Sequence, residues 1–502
     1  MTGAHDDDDV VLSEATPDPS GAKRSYDIPL PQHLQDAIVA DWDPAPPMPH
    51  PARPDVAPYA ARRRAALSRR FPNTALVVPA GQLRVRSSDT DYAFRAASSF
   101  TWLTGETVSG AVLVMTPAAS GHESALYIDE YAQAGDIRYF TDRLHGAVWV
   151  GNVPNAQDTT AALGIAVHPL AQLRDDLAQL RDTDTAVLTG FDADVEALLP
   201  RARGDRLAQA LDEMRLVKDE WEIARLAAAC EATARGFADV VRELPNVIDR
   251  ADVRGERWLE GTFWRRARLE GNDVGYGSIL GTGRHTTTLH WWRNHGTVHS
   301  GDLLLADMGI ETDELYTADV TRTMPVSGEW SAAQLQVYRA VQEAQAAGLA
   351  EVKAGADFLA PHRAAMWVLA DYLHSWGILP VPAEVACAED PERPGAGTFR
   401  RYTLHGTSHM LGLDVHDCEH ARTELYRDGT MLAGHALTVE PGLYFQVNDR
   451  TVPPELRGIG VRIEDDVVVT DSTAINLSAM LPHDPEDVVA WMRDVQGSAA
   501  RP

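Results

Sequence analysis

Leu303, Leu304, Leu305 and Ala306 run directly into Asp307, and this step restricts the fold more than any other in the chain. Four apolar residues in a row predict a buried strand, and the residue that follows shares its burial. A carboxylate withdrawn from water is costly unless it is paired, hydrogen-bonded or bound to a metal. Asp319 follows twelve residues later in YTADVTRTMP, with a turn-forming ETDEL between them. Two strands joined by such a turn would carry both carboxylates to one point. His409 stands in LHGTSHMLGLDVHD, Glu440 in LTVEPGLYF and Glu464 in VRIEDD. Four carboxylates and one imidazole make a set of hard oxygen donors with one nitrogen. That set suits two Mn²⁺, Co²⁺ or Zn²⁺ ions better than a thiolate site would. Singly, each of these residues reads as a turn or a cap; the spacing of the whole set favours a metal centre.

The 502 residues carry 45 Lys plus Arg against 73 Asp plus Glu, a net charge of −28. Such a field repels phosphate and disfavours nucleic acid and anionic membranes as partners. No stretch reaches the ~20 apolar residues of a membrane span, and the first residues lack the basic and apolar regions of a secretory signal. Cys230, Cys387 and Cys418 are odd in number and far apart, which excludes a disulfide framework and suits a reducing cytoplasm.

Three regions follow along the chain. Residues 1–58 are acidic and then proline-rich, an arm with a solvated Asp run at 6–9 and one short helix at 32–42. Residues 59–215 alternate short β-branched runs with helical stretches, which predicts an α/β domain. Residues 216–502 open with a long helix. Its apolar face is Ile223, Leu226, Cys230, Ala234, Phe237, Val241 and Leu244, at steps of three and four, and Pro245 is expected to stop it. Cys230 lies on that stripe and reads as a small core residue. Strands are expected at 286–292, 302–309, 436–445 and 461–470, with a second long helix after Ser331. This half reads as α+β, with a curved antiparallel sheet carrying polar residues inward.

The set Asp307, Asp319, His409, Glu440 and Glu464 resembles the dinuclear metal site of the pita-bread (creatinase/aminopeptidase-like) peptidases. The blocks LHGTSHMLGLDVHD, LTVEPGLYF and RGIGVRIEDDVVVT resemble aminopeptidase P within that family, and SSDTDYAFRAASSFTWLTG at 87–105 resembles its N-terminal domain. The resemblance implies an enzyme that releases the first residue of peptides with proline second. Asp307 would hold one ion, Asp319 and Glu464 would bridge two, and His409 and Glu440 would complete the other shell. Two ions depress the pKa of bound water and clamp the reacting oxygens, and Glu440 would also carry a proton. Mn²⁺ is the expected metal. Homodimers or homotetramers are implied as well. The alternatives are a prolidase confined to dipeptides, a metal-free peptide-binding protein of the same fold, and a metal-free creatinase-like hydrolase.

His290, His405 and His416 match family positions that line the substrate site. His290 and His416 would contact the scissile carbonyl, and His405 the pocket. Arg462, two residues before Glu464, would bind a neighbouring carboxylate or the substrate. His285, His295, His299, His420 and His435 are read as surface or structural. Trp102, Trp291 and Trp292 are read as pocket residues. The segment 387–401 is expected at the rim of the site, where its arginines would decide whether the far side is open.

Overall fold

The computed structural model describes residues 30–43, 55–88, 90–180 and 182–498. The chain divides into two compact units. One is built mainly from the chain before Ala202, the other from Arg203 onward together with Ala97–Leu103 and Ala186–Thr189. The Asp run at 6–9 and most of the proline-rich run lie outside the described residues. The short arm helix is present at Gln32–Ile38, where Trp42 Nε1 donates to Ile38 O at 2.7 Å.

The first unit carries a mixed sheet of five strands in the order Ala166–Pro169, Gly121–Ile128, Val112–Ala118, Ala75–Pro79 and Thr185–Val187. Every residue of Ala75–Pro79 is buried, as expected for an interior strand of a sheet covered on both faces.

In the second unit the long helix spans Glu220–Val247 and begins with an Asp219–Glu222 capping box. It passes through Pro245 rather than stopping before it. The proline falls in the last turn and removes one N–H, the one that would bond Val241 O. Gln496 Nε2 donates to that carbonyl at 3.2 Å instead, buried Leu244 and Val247 hold the turn in place, and Ile248 N donates to Leu244 O at 3.1 Å. Strand Leu303–Met308 lies between Val320–Pro325 and Ile279–Thr282, antiparallel to both. Leu304, Ala306 and Met308 face the helices and pack with Phe237, Val241, Leu259 and Phe263. The two-residue period of a strand sends Leu305 and Asp307 to the opposite side.

The expected strand at 286–292 is absent. Gly283–Thr287 forms a 3₁₀ turn, because Thr286 Oγ1 donates to Gly283 O at 2.7 Å and Thr287 Oγ1 to Arg284 O at 2.9 Å. The two long runs after residue 435 are each broken in two. Ala436–Val439 ends at Glu440 and Gly442–Tyr444 resumes after Pro441, which has no N–H for a ladder. Gly460–Arg462 and Asp465–Val469 flank Ile463 and Glu464, and Glu464 N turns instead to Thr321 O at 3.1 Å. Glu440 and Glu464 thus stand at breaks between ladders.

Candidate active site

A cavity of about 450 Å³ in the second unit is lined by all nine residues singled out above: His290, Asp307, Asp319, His405, His409, His416, Glu440, Arg462 and Glu464. They come from separate segments. Asp307 is on the central strand and Asp319 immediately precedes its hairpin partner Val320–Pro325. His409 is in a loop beside the Met410–Leu437 bridge, with its N–H donating to Thr438 Oγ1 at 3.2 Å. His290 is in a turn and His416 in a bend, and both are exposed on the cavity wall.

Asp307, Asp319 and Glu464 are buried. Asp319, His409 and Glu464 each offer a ligand atom within 4.8 Å of the others. His409 Nε2 lies 3.3 Å from Asp319 Oδ2 and 3.4 Å from Glu440 Oε1. His405 Nδ1 lies 3.3 Å from Glu440 Oε2. The site's charges are strongly coupled. Burial, reinforced by Asp319, Glu440 and Asp307, pushes the Glu464 carboxyl well above the carboxylate range. Burial likewise lifts Asp307 to about 6, against the pull of Arg462. Burial opposes charge on His409, yet Asp319 and Glu440 outweigh it and raise the imidazole to about 9. Burial also works against the charge of Glu440, but His405, His409 and Arg462 bring it down to about 2.

Arg462 takes the first of its two expected roles. Its Nη2 donates to Asp307 Oδ2 at 2.5 Å, its Nε to Thr321 Oγ1 at 3.0 Å and its Nη1 to the Tyr444 hydroxyl at 3.0 Å. Among the tryptophans only Trp292 lines the cavity. Trp291 donates to Glu256 and Trp102 to Glu222. No residue of 387–401 is in the lining, and Arg401 is tied to Asp449 by hydrogen bonds of 2.8 and 2.9 Å.

Residues 224–471 match the sequence model of Metallopeptidase family M24, and residues 59–188 that of the aminopeptidase P N-terminal domain. The chain is 48% identical over 443 residues to Xaa-Pro aminopeptidase 1 of Streptomyces coelicolor, covering 87% of each. The chain belongs to the Xaa-Pro aminopeptidase family. It is 30% identical to the Xaa-Pro aminopeptidase of Escherichia coli, over 86% of this chain and 97% of that protein. The solved structure of E. coli aminopeptidase P with the inhibitor Pro-Leu superposes with a TM-score of 0.78 at 28% identity, covering 88% of this chain and 99% of the other. The chain is thus a metallo-aminopeptidase, with the N-terminal domain of that family ahead of a pita-bread catalytic domain. No helix among the described residues is long and apolar enough to cross a membrane.

The family implies divalent metal ions, and the donor set of this metallo-aminopeptidase fits them. Asp307, Asp319, Glu440 and Glu464 crowd one cavity, with the Arg462 guanidinium and the His409 imidazole among them. Burial first, and then the neighbouring carboxylates, push Glu464 and Asp307 upward, and hard divalent cations would offset both.

Several supporting residues were not read from the sequence. Tyr276 donates to Asp307 Oδ1 at 2.6 Å and Thr321 to Glu464 Oε2 at 2.6 Å. Tyr444 joins His405 to Arg462, with its hydroxyl 2.8 Å from His405 Nε2. Asp466 accepts from Asp319 N at 2.9 Å and from the Cys230 thiol at 3.2 Å. Tyr444 sits inside the LTVEPGLYF block and was within reach of pattern reading. Tyr276 and Cys230 are remote in sequence and carry no local signal.

The loop bearing His416 is anchored by the next residue. Asp417 is buried and pairs with Arg215 and with Lys218, whose Nζ lies 2.6 Å from Asp417 Oδ2. Asp417→Asn leaves two cations in the interior short of their anion, and a loss of ~3–5 kcal/mol in unfolding free energy is expected by denaturant titration. Burial opposes ionisation of Asp417, but Arg215 and Lys218 hold it down to about 2. A folded pKa below the unfolded ~3.9 stabilises the fold at higher pH and is lost as pH falls toward the folded value. The variant's deficit should therefore shrink below about pH 4.

Proposed function

We propose that this chain releases the N-terminal residue from peptides whose second residue is proline, using two divalent ions, with Mn²⁺ preferred and Co²⁺ or Zn²⁺ as the alternatives. The observation that carries the reading is the gathering of four carboxylates and His409 in one cavity of a chain 48% identical to a Xaa-Pro aminopeptidase. Asp307, Asp319, His409, Glu440 and Glu464 would hold the ions. Bound there, the ions would supply Lewis-acid polarisation of the carbonyl and an activated water. The chain's own residues perform the remaining tasks. His290 and His416 donate to the carbonyl oxygen of the scissile bond. Glu440, held ionised by its neighbours, accepts the water proton and passes it to the proline nitrogen. His405 contacts the bound peptide. Arg462 fixes Asp307 from behind, and its share in substrate binding is indirect.

Two observations favour an aminopeptidase over a prolidase. A prolidase must clamp the dipeptide carboxylate, commonly with an arginine. Arg462 is committed to Asp307, Thr321 and Tyr444, and Arg401 to Asp449. The organisation proposed is an arm at 1–58, an N-terminal domain at 59–215 and a catalytic domain at 216–502. The chain is placed in the cytoplasm as a homodimer or homotetramer.

The test is a peptide panel at fixed Mn²⁺ loading. Xaa-Pro-Xaa tripeptides and longer chains should exceed Xaa-Pro dipeptides in kcat/KM, and replacing the second-position Pro by Ala should slow release of the first residue strongly. Cleavage confined to dipeptides would make the chain a prolidase. Indifference to proline would make it a broader aminopeptidase.

A further inference from the structure

Glu256 is fully buried on the helix Gly255–Glu270, yet no lysine or arginine pairs with it among the described residues. Its charge is met instead by five hydrogen bonds. Oε1 accepts from Thr282 N at 2.8 Å, Thr282 Oγ1 at 3.0 Å and His285 Nδ1 at 2.8 Å. Oε2 accepts from Trp291 Nε1 at 2.8 Å and Gly296 N at 2.7 Å. Facing a carboxylate, His285 Nδ1 carries the proton. The close approach needs a glycine at 296, since a Cβ there would lie 2.7 Å from Glu256 Oε1.

These donors lie on both sides of His290 in the chain. Thr282 and His285 precede it, Trp291 and Gly296 follow it, and His285 stacks on Trp291 at 3.9 Å. Between them the loop presents Leu289, His290 and Trp292 to the active-site cavity. The His290 imidazole makes no hydrogen bond among the described residues; its ring lies parallel to Trp292, 5.2 Å away. Its own side chain therefore does little to fix its place. The backbone of the loop fixes it, and the loop is gathered on one carboxylate.

We infer that Glu256 is a positioning residue for the peptidase reaction: it clamps the loop of residues 282–296 so that His290 meets the reacting carbonyl. The inference rests on the role proposed above for His290. A displacement of about 1 Å at a catalytic group can cost on the order of 10²-fold in rate. Glu256→Gln keeps the shape but turns an N–H toward donors on one side of the carboxamide, so one half of the clamp opens.

The experiment is a double-mutant cycle in the metal-loaded full chain, with Glu256→Gln, His290→Ala and the pair. The readouts are kcat and KM on one Xaa-Pro-Xaa tripeptide, bound metal and Tm. Glu256→Gln is expected to lower kcat by ~10–100-fold, to leave KM within about twofold and to keep its metal. In the His290→Ala background the same change should do almost nothing further, since the group it positions is gone. Losses that multiply in the double variant would mean that Glu256 acts elsewhere and would overturn the inference. So would wild-type kcat in Glu256→Gln. If His290→Ala alone keeps full activity, the role of His290 falls and takes the clamp with it. If His290→Ala is impaired and Glu256→Gln is not, only the clamp falls. Should Glu256→Gln fail to fold, Trp291→Phe removes one donor only. It should lose about two- to tenfold in kcat, again only where His290 is present, and no loss would overturn the inference.

Discussion

Asp319→Ala and Glu464→Ala are each expected to abolish peptide hydrolysis and remove at least one bound metal ion while the chain stays folded. Both carboxylates are buried, and their ligand atoms lie within 4.8 Å of each other and of His409, where one side chain can serve two ions. The stability signature is as informative as the activity. Glu464 is displaced upward by burial and then by Asp319, Glu440 and Asp307. Removing it relieves like-charge crowding, so the metal-free variant should melt no lower than the metal-free parent. Binding to the native state alone stabilises by RT ln(1 + [L]/Kd), so added metal should raise Tm in the parent and much less in either variant. Metal content by elemental analysis, tripeptide cleavage and paired melting curves check all three. Full activity in either variant would remove that residue from the metal centre.

His416→Ala is expected to lower kcat by ~10²–10³, the usual cost of losing one donor to a developing oxyanion, with metal content unchanged. The imidazole stands edge-on to His409, with ring centroids 4.4 Å apart, on the wall of the cavity. Partial burial, with the charge on His409 adding to it, holds His416 below its ordinary value. Its backbone neighbour Asp417 is locked to Lys218 and Arg215, so the side chain can be cut away without releasing the loop. Steady-state kinetics on a Xaa-Pro-Xaa peptide together with metal analysis decide the matter. Stoichiometric loss of metal would make His416 a ligand and redistribute the roles around His409.

Pattern reading reached the elements whose period is strong. Leu303–Met308 and the capped helix after Ser331 lie where the apolar runs and the cap residues put them, because burial and capping act within a few residues of the chain. It failed at 286–292, where the β-branched run TTTL reads as a strand. Two threonine hydroxyls, each bonding a carbonyl three residues back, outweigh the propensity there. It also failed at Pro245, whose cost depends on how close the helix end lies, and that end is set by the packing of Leu244 and Val247.

The sequence by itself determined the kind of chemistry: hard donors without a thiolate partner, in a reactive block recognisable as that of the Xaa-Pro aminopeptidases, on an α+β scaffold. Those properties reside in residue identity and local order, and a string of letters carries them whole. Only the tertiary structure decided which groups restrain the donors. Tyr276 reaches Asp307 from 31 residues away, Arg462 from 155, and Cys230 reaches Asp466 from 236. Hydrogen bonds and Coulomb forces act through space, so their partners are chosen by the packing of sheet on helix, which no window along the chain contains.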